Sequence, residues 1–152
     1  MKKAIVIAIF IFSGCGGMNQ IDSEFIAFTS EFENLLTQNR VRDRMENLIM
    51  RFASDAELTD EQSGRCIRKH GFGRNLILMN KNIWSTKSEF SRKMVIFHEL
   101  GHCVLGRKHN EEMIKEDNWD IPVSIMYPIT DGLRPDKVSG YESELIKFSE
   151  KF

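Results

Sequence analysis

The stretch TKSEFSRKMVIFHELGHCVLG, residues 86–106, decides how this chain is read. Phe90, Met94, Phe97, Gly101, Val104 and Leu105 recur three and four residues apart, the period of a helix with one buried face. Thr86 and Glu89 have the spacing of a capping box, in which each satisfies the other's backbone donor, so a helix is predicted to start there. Gly106 is the residue type that closes a helix in the left-handed conformation, so the helix is predicted to end near Leu105. The buried face is complete without His98 and His102, which fall on an adjacent stripe with Ser91 and Val95.

His98 and His102 are about one helical turn apart, so both imidazoles project from one face and can reach the same ion. Glu99 stands beside them, able to reach a water on that ion without ligating it; this is the pattern of two metal ligands and a general base. Gly106 lets the chain turn so that His109 folds back as a third ligand. Imidazole ligation favours zinc over magnesium or calcium. Three neutral imidazoles leave a zinc ion a fourth position for water, whose pKa the ion lowers to about neutral. Glu99 is then the base that accepts the proton and passes it to a leaving amine.

Together with Ser124-Ile125-Met126-Tyr127-Pro128, these residues resemble the metzincin family of zinc peptidases. Metzincins bind zinc through His-Glu-x-x-His-x-x-Gly-x-x-His and place a Met-containing turn beneath the metal. The chain matches both helix histidines, the glutamate and a Gly-x-x-His ending, and Ile125-Met126-Tyr127-Pro128 is similar to the Met-turn of the matrixin branch. It departs by one residue: Cys103-Val104-Leu105 separate His102 from Gly106 where the family has two. One added helical residue rotates the exit by about 100°, so the turn before His109 must differ in detail.

The resemblance spans Leu76 to Pro128. It implies an α+β fold of zincin type, a small twisted sheet packed on the active-site helix with a C-terminal helix. It implies one zinc ion on His98, His102 and His109, with Met126 beneath it and Glu99 catalytic in an endopeptidase. It also implies that Asn75–Asn80 is the strand above the cleft, binding an extended peptide or protein substrate at a sheet edge.

Each residue has a plainer alternative. His98 and His102 can be surface histidines, and His109 an exposed loop residue with Asp117, Glu111 or Glu112 as substitute ligand. Met126 can be simple core, since Met fills irregular gaps anywhere. Tyr127 either walls the pocket or only packs. His70 lies in a Gly-rich loop and reads as solvated; Trp84 and Trp119 read as core or surface anchors.

Residues 1–14 read as a targeting segment. Lys2-Lys3 precede an apolar run from Ala4 to Phe12, too short to span a bilayer. Ser13-Gly14-Cys15 then resembles the bacterial lipoprotein signal, which makes Cys15 the lipidated first residue; the alternative is an ordinary secretory signal. Residues 15–21 would be a tether and 22–152 the peptidase domain. Gly16, rather than Asp, follows Cys15, which points to the outer membrane and periplasm in a source with two membranes. Cys66 and Cys103 remain, an even pair expected to bridge in an oxidising compartment; the alternative is two free buried thiols.

Residues 23–39 read as an amphipathic helix, with Phe25, Phe28, Phe32, Leu35 and Leu36 on one face and Asp22 and Ser23 as caps. Leu48, Met50 and Phe52 alternate with Asn47, Ile49 and Arg51, predicting a strand over 47–53. Residues 54–74 read mostly as loop, and Pro122 to Asp131 as turns. Ser139 and Glu142 give a second capping box, before a closing helix over 140–151 that carries Tyr141, Leu145, Ile146 and Phe148.

The 152 residues suit one domain. A formal charge of −1, which becomes −3 without Lys2 and Lys3, excludes the basic excess of a nucleic-acid binder. The expectation is therefore a monomeric, lipid-anchored zinc endopeptidase of the cell envelope. One rival is an envelope lipoprotein that binds zinc or a protein partner without turnover. Another is a zinc peptidase outside the metzincins with an acidic third ligand.

Overall fold

Leu48 and Met50 turn to one side of a strand, and the alternation continues in the strand beside it, where Ile77 and Met79 are buried on the same side. That face carries the core of the fold. The computed structural model describes residues 18–43, 45–69 and 73–147. The leader over residues 1–14, Cys15, His70 and Phe148 lie outside the described residues.

The architecture is α+β: a four-stranded mixed sheet, a two-stranded hairpin and four α-helices among the described residues. The sheet contains β1 (Gln20–Ile21), β2 (Leu48–Phe52), β3 (Gly64–Ile67) and β4 (Asn75–Met79), in the order β1-β2-β4-β3. β1, β2 and β4 run parallel, and β3 pairs antiparallel with β4 as an edge strand. α1 (Ile26–Gln38) joins β1 to β2, the long crossover that parallel strands need. Phe25, Phe32 and Leu36 of that segment bury against α3 (Glu89–Cys103) and the sheet, while Phe28 and Leu35 pack at the rim. Trp84 is core, edge-on to Phe25 and Phe28, whereas Trp119 is 75% exposed.

Several local expectations change. The domain begins earlier than residue 22: Asn19 accepts a bond from the Leu48 N–H, and Gln20–Ile21 pair with β2, so they are not tether. Asp22 does not cap with its side chain; its carboxylate accepts instead from the Phe52 N–H. Thr86 and Glu89 form no capping box, because Thr86 ends α2 (Lys81–Thr86), a short helix capped by Asn80. The cap of α3 is Ser88, whose Oγ accepts from the Ser91 N–H. α4 spans Val138–Lys147 with Ser139 inside it, and Glu142 pairs with Lys93 rather than closing a cap.

The segment expected to be loop contains β3, which lacks the apolar alternation that marks strands and is held by its partner and a disulfide. A hairpin of β5 (Met113–Glu116) and β6 (Trp119–Pro122) was also not predicted. Asp117 and Asn118 both take positive φ at its two-residue turn, the chemistry of a type I′ hairpin. No helix among the described residues is long and apolar enough to cross a membrane.

Candidate metal centre

α3 is buried on nearly all sides from Met94 to Gly101, which takes His98 and Glu99 into the interior with it. His98 is buried, His102 half-buried and His109 exposed, and their ligand atoms converge within 4.8 Å of one another. His98 Nε2 lies 3.1 Å from His102 Nε2 and 3.3 Å from His109 Nε2. Nitrogens bound to one tetrahedral zinc at about 2.0–2.1 Å stand about 3.3 Å apart, so the spacing fits such an ion.

Protonation supports the same reading. His98 Nδ1 donates to the Ile125 carbonyl at 2.9 Å, and His102 Nδ1 donates to the Arg107 carbonyl at 2.7 Å. Those bonds fix the tautomers and leave both Nε2 atoms as lone pairs directed at one point. Burial lowers the His98 pKa to about 4, helped by the neighbouring His102 and His109 and opposed by the Ile125 bond. Burial also lowers that of His102. Two lone pairs facing each other at 3.1 Å repel unless a cation stands between them, so the donor set suits a metal ion.

The helix ends in a widened last turn. Leu105 N–H reaches back five residues to the Leu100 carbonyl, and Arg107 N–H reaches six to that of Gly101. Gly106 then turns the chain at φ +66°, a conformation glycine adopts without strain. His109 comes back over the helix, and Asn110 N–H donates to the Met126 carbonyl. Asp117 sits at the hairpin turn, and neither it nor Glu111 nor Glu112 joins the converging group.

Met126 is fully buried beneath α3. A β-carbon on Gly101 would stand 2.5 Å from its sulfur. The turn is made by the Tyr127 N–H donating to the Ser124 carbonyl and by Ser124 Oγ accepting from the Met126 N–H. Ser124 Oγ in turn donates to Glu144 Oε2 on α4 at 2.7 Å, while Glu144 Oε1 takes Arg107 Nη2 at 2.5 Å. One carboxylate therefore ties together the two segments whose carbonyls orient His98 and His102. Ser124 enters the sequence reading only as part of the Met-turn stretch, and Glu144 and Arg107 carry no signal there that would single them out.

Glu99 lies in the same cleft, a space of about 270 Å³ walled by Glu61–Gly64 on one side and Pro128–Asp131 on the other. Tyr127 is half-buried and not part of that wall. Burial raises the Glu99 pKa to about 7, against a backbone hydrogen bond from Cys66 that lowers it. Cys66 is bridged to Cys103, as expected, with 5.6 Å between their Cα atoms. The strand beside Glu99 is β3; β4, the Asn75–Asn80 segment expected above the cleft, is interior to the sheet, between β2 and β3. Comparison with protein-family models, with curated proteins and with solved structures gave no match.

Proposed function

We propose that the chain is a zinc-dependent endopeptidase of zincin, metzincin-like architecture, held to the cell envelope by lipid at Cys15. The observation that carries this reading is a three-imidazole cluster, two of whose members, His98 and His109, line one cleft with the buried carboxylate of Glu99, the residue after His98 on α3. The antiparallel edge strand β3 beside that helix, and Met126 beneath it, are further support. The anchor rests on Lys2-Lys3, the apolar run to Phe12 and Ser13-Gly14-Cys15.

A zinc ion bound by His98, His102 and His109 would polarise the scissile carbonyl and acidify a water. Glu99 takes a proton from water on its carboxylate and delivers it to the leaving amine nitrogen. Burial raises its pKa in the metal-free protein, which favours uptake of a proton by its carboxylate. The outer edge of β3, which no other strand among the described residues covers, accepts an extended peptide as an added strand, in place of Asn75–Asn80. The walls at Glu61–Gly64 and Pro128–Asp131 then receive the side chain next to the scissile bond.

A metal-binding lipoprotein without turnover would keep the imidazole cluster. It would have no use for Glu99, since a carboxylate buried beside three neutral ligands costs stability and adds no ligand. The test is incubation of zinc-loaded protein with an unfolded protein substrate, reading new amino termini by mass spectrometry. Cleavage that stops with chelator and returns with zinc supports the peptidase. Stoichiometric zinc without any cleavage favours the binding protein.

A further inference from the structure

β3 is a four-residue strand with β4 on one side and, among the described residues, no strand on the other. Its α3-facing positions meet the helix in order. A β-carbon at Gly64 would stand 3.0 Å from Glu99 Cγ and 3.1 Å from Glu99 Oε1. Cys66 is bonded to Cys103, and Arg68, just past the strand, lies against Gly106. Little apolar surface holds this strand down: Gly64 has no side chain, Arg65 is exposed, and Cys66 and Ile67 are half-buried. The bridge to Cys103 is a covalent tie between β3 and α3.

The strand that Cys66 fastens is also the one whose Gly64 backbone abuts the Glu99 side chain. The ligand histidines are oriented from elsewhere, His98 by the Ile125 carbonyl and His102 by that of Arg107, both on segments fastened to Glu144. The base and the ligands thus depend on different supports. Resting on the peptidase reading of the site, we infer that the Cys66–Cys103 disulfide is a positioning element for Glu99, so that turnover requires the bridge while metal binding does not. Reduction by an external dithiol opens it: two electrons pass from the dithiol, which becomes a disulfide, and each cysteine sulfur gains a proton. The enzyme is then silent wherever a dithiol pool keeps the pair reduced.

The experiment compares three forms of the full zinc-loaded chain: oxidised wild type, reduced wild type and Cys66→Ser/Cys103→Ser, each checked as folded by circular dichroism. Zinc affinity, kcat and KM on an unfolded protein substrate, and exchange of the Cys66 amide proton by NMR are read on each. Loss of the bridge is expected to speed Cys66 exchange by about tenfold or more. It is expected to lower kcat by about a hundredfold with KM and zinc affinity little changed. Unchanged Cys66 exchange, unchanged kcat, or a fall in kcat matched by loss of zinc overturns the inference. If the oxidised wild type cleaves nothing, the peptidase reading fails, whereas Cys66 exchange still decides whether the bridge holds β3 against α3.

Discussion

The sulfur of Met126 lies 2.5 Å from the point where a β-carbon on Gly101 would stand. A helix residue between the two ligand histidines is thereby in direct register with the turn that supplies the Ile125 carbonyl to His98. Gly101→Ala sets two effects against each other. Replacing a mid-helix glycine gains about 1 kcal/mol of helix propensity. Overpacking against Met126 and Leu145 costs about 1–3 kcal/mol. The expected net is a loss of about 1 kcal/mol in urea unfolding together with weaker zinc binding. A stabilised variant with unchanged zinc affinity would show that Met126 moves aside freely.

Glu144 joins Ser124 and Arg107, and so both carbonyls that orient the ligand rings. Outer partners of metal ligands contribute about 10–100-fold in affinity. Glu144→Gln is expected to weaken zinc by that order in competition with a chromogenic chelator, although it touches no ligand. Affinity equal to wild type would mean that the carbonyls hold their places without it.

His109 is the exposed member of the cluster and reaches it only through the widened turn and Gly106. His109→Ala is expected to lower zinc affinity by at least about a hundredfold, as removal of a direct ligand should exceed loss of an outer partner. Wild-type zinc content in that variant would move the third ligand elsewhere.

Burial raises the Glu99 pKa from an ordinary 4.5 to about 7 in the metal-free protein. Between those values the folded state holds a proton that the unfolded chain releases. Glu99 therefore adds stability as pH falls from 7 to 4.5, and it costs stability above 7 as a buried carboxylate. Glu99→Gln, permanently neutral, is expected to exceed wild-type apo stability at alkaline pH, with the gap closing by about pH 4. His98 works in the opposite sense, its pKa lowered to about 4, and is shared by both proteins, so it cancels from the difference. Denaturant midpoints of the two apo proteins across this range decide it; a gap that widens on acidification would contradict the burial of Glu99.

Legibility in the sequence followed periodicity and spacing. The α3 pattern located His98, Glu99 and His102, and the even cysteine pair located the bridge, because each signal is local or a simple count. β3 was missed because Gly64-Arg65-Cys66-Ile67 has no apolar alternation; pairing with β4 and the Cys103 bond make it a strand. The sequence pattern points to β4 rather than β3 beside the cleft for the same reason, since β4 carries the apolar run and the edge strand does not. The hairpin was announced only by Asp117-Asn118, a turn signal without strong flanking strands. Arg107, Ser124 and Glu144 are distant in sequence and ordinary in type, and only the folded chain brings them to one carboxylate.

The most direct test is a paired measurement of zinc content and kcat/KM for wild type and Glu99→Gln. One zinc per chain in both proteins is expected, with cleavage of an unfolded protein by the wild type and a loss of about a thousandfold or more in the variant. Equal turnover by the two zinc-loaded proteins would contradict the assignment of Glu99 as the base and, with it, the proposed peptidase mechanism.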